Sequence, residues 1–95
     1  GDAWAGNILA RDGHLAGFID PAVYYGDPEI ELAFVHLMGG KGQAFFDAYY
    51  ALMPNREGFN ELRRDLYNLY PLLVHTILFG GGYAREVAHI VRRLC

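Results

Sequence analysis

Ninety-five residues, 53% of them hydrophobic and 20% charged, are the size of one globular domain and exclude a disordered polar chain. Eight Lys and Arg against eleven Asp and Glu give a net charge of −3, which argues against a nucleic-acid partner, whose phosphates select a basic face. No apolar run approaches the roughly 20 residues of a membrane span, and no basic and then apolar leader is present, so neither a membrane nor an export role is predicted. The single cysteine, Cys95, permits no internal disulfide and predicts a reducing, cytoplasmic setting. The chain opens Gly1-Asp2 with no Met, inside what reads as a working loop, and is expected to be a C-terminal piece of a longer protein. Charge is unevenly placed: residues 1–40 hold six acids and one base, residues 41–95 five acids and seven bases. The acidic excess lies where a divalent cation would be welcome.

In chain order, the first predicted unit is a β-hairpin. Asn7–Ala10 and Leu15–Ile19 are short apolar runs flanking Arg11-Asp12-Gly13-His14, and Asp-Gly supplies the positive φ pair that a tight hairpin turn needs. Centring the turn on Asp12-Gly13 pairs Arg11 with His14, Leu9 with Ala16 and Asn7 with Phe18. A first helix follows Asp27-Pro28, an N-cap and a first-turn proline, with Ile30, Ala33, Phe34, Leu37 and Met38 as its apolar stripe, and stops at Gly39-Gly40. A second runs from about Gln43 to Met53, ended by Pro54. A third starts near Phe59 with Leu62, Leu66, Leu69, Leu73 and Ile77 on one face, and Pro71 predicts a kink or break within it. Gly80-Gly81-Gly82 ends it, and Tyr83–Leu94 forms the last helix, with Val87, Ile90, Val91 and Leu94 inward. The fold class is therefore α+β, mostly helical with one hairpin.

Hairpin geometry puts Asn7 and Asp20 on one face as diagonal neighbours about 7–8 Å apart, close enough to share one hard cation or two. Asp2 stands five residues before Asn7 in a loop with glycines at both ends. Each of the three alone is also a turn former. Together, an Asp, an Asn five on, and an Asp closing a hairpin have the layout of phosphoryl-transfer sites, in which the first accepts a hydroxyl proton and the other two hold Mg²⁺ against nucleotide phosphates.

Gly1-Asp2-Ala3-Trp4-Ala5-Gly6-Asn7 resembles the catalytic loop H-G-D-L-W-S-G-N of the fructosamine (ketosamine) kinase family. Ile19–Asp27 is similar to that family's I-D-P-A-x-Y-Y-G-D segment, and Leu78-Phe79-Gly80-Gly81-Gly82-Tyr83 to its C-terminal L-F-G-G-G-Y. The resemblance spans nearly the whole chain. It implies that residues 1–95 are the C-terminal lobe of a protein-kinase-like fold, with the N-terminal ATP-binding lobe lying outside them. It further implies Asp2 as catalytic base, Asn7 and Asp20 as Mg²⁺ ligands, and Trp4 and His75 flanking a bound ketosamine. The implied function, in the parent protein, is ATP-dependent phosphorylation of a ketosamine, free or on a glycated protein, at its 3-hydroxyl. Ala3 and Ala5 replace Leu and Ser, and Glu31 stands where related kinases carry an Asp that braces the catalytic loop.

Two other functions fit the same frame: a kinase of the aminoglycoside or choline type, and a catalytically silent kinase-like binding module. Gly39-Gly40-Lys41-Gly42 lacks the phosphate-loop pattern and reads as a helix stop. Arg63-Arg64 and Arg92-Arg93 read as solvated faces.

Overall fold

The computed structural model of the chain describes residues 1–38 and 40–95. Asp12 and Gly13 form the tight turn that the sequence signals, with φ of 53° and 76°. They join β1 (Ile8–Arg11) to β2 (His14–Phe18) as an antiparallel pair. Arg11 faces His14 as expected, but the register then shifts between Leu9 and Ala10, so that Leu9 faces Gly17 and Ile8 faces Phe18. The expected pairings of Leu9 with Ala16 and of Asn7 with Phe18 are thus off by one residue. A bulge sets two residues opposite one, and Gly17 inside the strand is its only mark in the sequence. As a result Asn7 lies beside Ile19, whose N–H donates to the Asn7 carbonyl at 2.9 Å.

Helix α1 (Pro28–Met38) starts as predicted: the Asp27 carboxylate accepts the Glu29 N–H at 2.9 Å, and Pro28 takes the first helical position. It ends at Met38; of the expected stop, Gly39 lies outside the described residues and Gly40 has a φ of 65°. The core gathers on α1, where Leu32, Ala33 and Val35 pack with Phe46 of α2 (Gln43–Leu52) and with Phe59. His36 stacks on Phe46 with ring centroids 3.9 Å apart, and burial followed by the Arg64 charge pushes its pKa down. The core face differs from the predicted stripe, of which only Ala33 is fully buried. Ile30 and Phe34 instead line a cavity described below.

After α2 a π-helical turn (Phe59–Arg63) leads into α3 (Arg64–Phe79), which continues through Pro71, so that of the expected kink or break the break does not occur. Proline removes one backbone bond of the ladder, and the packing of α3 on α1 and α4 holds the turns on either side. The predicted leucine stripe of α3 is corrected as well. Leu62, Leu66, Leu73 and Ile77 are about half exposed or more, while Asp65, Asn68 and Leu72 are buried. Asp65 can be inside because Arg64 and Arg93 both pair with it. Arg93 belongs to α4 (Gly82–Leu94), which folds back along α3 with Ile90 buried, and Tyr83 sets its ring 5.2 Å from that of His75. The two arginine pairs are therefore not simply solvated faces, since each contributes a side chain to a buried carboxylate.

The second such carboxylate is Glu29, 6% exposed, gripped by Arg63 Nε at 2.7 Å and by Arg56 Nε at 2.9 Å. Arg56 also reaches Asp27 at 2.5 Å, so four charged side chains tie the start of α1 to the segment between α2 and α3. The Arg63 hydrogen bond, and then that from Arg56, hold the Glu29 carboxyl below the ordinary glutamate range against the opposing effect of burial. A depressed carboxyl stabilises the fold above its unfolded pKa, and that contribution is lost as pH falls through the folded one. Glu29→Gln should lower the unfolding free energy by about 2 kcal/mol near neutral pH, and the gap to wild type should close in acid. Denaturant titrations at several pH values would show both effects; a pH-independent gap would rule out the charged pairing as its source.

Candidate active site

The site begins in a backbone that sequence chemistry forces into tight contact. Gly1 pairs with Ala22, whose N–H donates to the Gly1 carbonyl at 3.2 Å, and a Cβ on Gly1 would fall onto the Ala22 carbonyl oxygen. Glycine is therefore required where this loop crosses the segment following β2. A 3₁₀ turn at Ala5–Asn7 then delivers Asn7, 8% exposed, to the start of β1. Its amide nitrogen donates to the Asp2 carbonyl at 3.0 Å and to Asp2 Oδ2 at 3.1 Å, and lies 3.4 Å from the Asp20 carbonyl. One buried amide thus brings Asp2, Asn7 and Asp20 together. Both aspartates have left-handed backbones, with φ of 61° and 50°, a conformation costing about 1–2 kcal/mol for a residue with a Cβ. Strain of this kind is tolerated where the surroundings impose it, and it clusters at functional sites.

Glu31 braces the loop. Its Oε1 accepts the Ala3 N–H at 2.8 Å, so the longer side chain still reaches from α1 to the backbone beside Asp2. Charge around the site is one-sided. Asp27 and Glu29 are taken by Arg56 and Arg63, and Asp12 by Arg11. Among the described residues no arginine pairs with Asp2 or Asp20. The donor set suits a small hard cation. Mg²⁺ typically takes one or two protein carboxylates and completes its shell with water and phosphate. Asp20 supplies a carboxylate, and the Asn7 amide, whose nitrogen is turned to Asp2, supplies an oxygen donor.

Trp4 and His75 are placed differently from each other. Trp4 is 46% exposed and lies across Gly6, where a Cβ would collide with its six-membered ring. His75 sits on α3 with Nδ1 2.7 Å from the Pro71 carbonyl and its ring against Phe79 and Tyr83. Neither Trp4 nor His75 lines the cavity that opens on Asp2; His75 stands one helical turn beyond Pro71, which does. That cavity, about 590 Å³, is walled by Tyr24, Ile30, Glu31, Phe34, Leu66, Tyr67 and Tyr70. Sequence reasoning missed these walls, because Ile30, Phe34 and Leu66 carry the helical periodicity of core residues. Burial, then the Glu31 charge, raise the Tyr24 pKa, so its phenol stays neutral. Gly6→Ala should push the Trp4 ring off the loop. As Trp4 is the sole tryptophan, its emission should shift red and become easier to quench, with stability changed by less than about 1 kcal/mol. Unaltered emission would disprove the stacking.

Comparison with known proteins gives a consistent result. The family model described as fructosamine kinase matches residues 1–95. The chain is 40% identical over 94 residues to the mouse ketosamine-3-kinase, covering 99% of this chain and 30% of that one. It is 41% identical over 91 residues to the chloroplastic protein-ribulosamine 3-kinase of Arabidopsis thaliana, covering 96% and 27%. A crystal structure assigned to a fructosamine-3-kinase of Thermobifida fusca superposes with a TM-score of 0.82 at 38% identity, over 99% of this chain and 32% of that one. The chain spans about a third of the length of the relatives it matches. With its whole length matched and its loop, hairpin and Asp-Asn-Asp cluster assembled, the chain belongs to the fructosamine kinase family.

Proposed function

We propose that these residues form the catalytic lobe of a kinase that transfers the γ-phosphate of ATP to a ketosamine hydroxyl, on a small sugar adduct or a glycated protein. The observation that carries this reading is the Asn7 amide, which draws Asp2 and Asp20 to one point while arginines neutralise the acids around them. Asp2 is the base: hydrogen-bonded through Oδ2 to Asn7, it keeps Oδ1 to accept the hydroxyl proton. Asn7 and Asp20 are the residues that would hold Mg²⁺, which when bound screens the charge of the nucleotide phosphates. Trp4 offers an indole face to the sugar, and His75, which stands outside the cavity on Asp2, is assigned to the ketosamine on family membership alone. Work at such a site is mainly positioning and electrostatics, with no covalent intermediate required. The residues that cover the nucleotide belong to a second, N-terminal lobe, in keeping with relatives about three times as long. Family membership favours ketosamines over aminoglycosides or choline as the phosphate acceptor. The lone Cys95 fits a reducing compartment, and we assign the activity to the cytoplasm; no helix among the described residues is long and apolar enough to cross a membrane.

The test separates chemistry from turn-making in a chain of the relatives' full length. Asn tolerates the left-handed backbone of Asp2 and Asp20, so Asp2→Asn and Asp20→Asn keep the shape and remove the charge. Asp2→Asn should lose about 10²–10⁴ in rate with nucleotide affinity kept. Asp20→Asn should lose both rate and Mg·ATP affinity, part of it restored by added Mg²⁺. Near-native turnover by both variants would refute the assignment, and its absence from the wild-type chain would favour a silent binding module.

A further inference from the structure

The cavity beside Asp2 has a composition that the phosphotransfer reading leaves unexplained. Two carboxylates, Asp2 and Glu31, lie at its edge, and three phenol rings, Tyr24, Tyr67 and Tyr70, form much of its wall, closed by Ile30, Phe34, Leu66 and Pro71. At about 590 Å³ it has the volume of a small-molecule site. Tyr67 packs against the core and is fixed, while Tyr70, 76% exposed, and Tyr24, 52% exposed, present their rings. Aromatic faces beside carboxylates, with no arginine or lysine in the lining, attract a cation rather than an anion.

The substrate supplies such a cation. A ketosamine carries on C1 an amine that is protonated near neutral pH, and a hydroxyl on C3 faces the base if the sugar is phosphorylated there. The two lie within about 5 Å of each other, so the amine is within reach of the cavity that Asp2 lines. We propose that Tyr24, Tyr67 and Tyr70 form the subsite for this ammonium group, and so select amine-bearing ketoses over neutral ones. The proposal rests on Asp2 being the base that meets the hydroxyl. Glu31 then has two tasks, bracing the loop through Oε1 and adding negative charge beside Tyr24.

The test uses calorimetry on a chain of the relatives' full length, with two probes: a 1-deoxy-1-alkylamino-fructose, and the 1-O-alkyl ether of fructose, in which oxygen replaces the amine. The wild type should bind the amine about tenfold more tightly, the size of a cation–π contribution. Tyr70→Leu should erase most of that preference and Tyr70→Phe, which keeps the ring, should retain it; Tyr70 is chosen because its exposure spares the fold. Equal binding of amine and ether by the wild type, or an undiminished preference in Tyr70→Leu, would overturn the subsite. So would failure to bind either probe together with a lower unfolding midpoint in Tyr70→Leu, the result expected if another stretch of the protein fills the cavity. Phosphorylation is assayed in parallel: selective amine binding without phosphate transfer supports the subsite and refutes the kinase reading, so the two fail separately.

Discussion

The Asn7 side chain is the constraint on which the site depends. A buried primary amide must find partners for its nitrogen, because an unpaired one costs about 1–3 kcal/mol. Here the partners are the backbone of Asp2, the side chain of Asp2 and, more loosely, the backbone of Asp20. Satisfying the amide therefore fixes the crossing of the loop and the end of the hairpin. It also compels both aspartates into left-handed backbones, an unfavourable conformation that the hydrogen bonds offset. The close approach of Gly1 to Ala22 and the brace from Glu31 to Ala3 secure the same loop from its other side.

Helix α1 distributes the charge around this point. Its first turn carries Glu29 toward Arg56 and Arg63 and, two residues on, Glu31 to the loop backbone. The bases of residues 41–95 thus neutralise acids of residues 1–40 at a distance from the site, where folding gains from the pairing. Asp2 and Asp20 are left as carboxylates without arginine partners among the described residues. The imbalance visible in the sequence, acidic first and basic later, is resolved in part by these pairs.

Local signals were legible in the sequence and long-range ones were not. Asp12-Gly13 and Asp27-Pro28 specify a turn and a cap through their own dihedrals and side chains, and both appear where expected. The bulge between Leu9 and Ala10 is set by how the hairpin must meet Asn7, which no short window contains. Periodicity failed differently on α1 and α3. It counted Ile30, Phe34 and Leu66 as core, when they wall a cavity, and overlooked Glu29, Asp65 and Asn68, which are buried. An apolar stripe has the same spacing whether it meets another helix or a ligand, and a buried acid is recognisable only once its arginine, 27 or 34 residues away, is known. The Asp-Asn-Asp frame was legible because its spacing is local; the position of His75 outside the Asp2 cavity was not.

Those failures have a common cause. The burial of Asp65 and Glu29 is possible only because arginines arrive from α4 and from the π-helical turn before α3. Buried ion pairs of this type add little net stability compared with apolar packing, since desolvation offsets most of the attraction. What they add is orientation: a guanidinium with fixed hydrogen-bond directions permits fewer arrangements than a leucine does. In a chain whose fully buried apolar residues are few, pairing by charge sets the angle at which α1 meets its neighbours. That angle in turn aims Ile30, Glu31 and Phe34 at the cavity beside Asp2. The polar interior is thus a means of positioning the wall of the cavity that opens on Asp2.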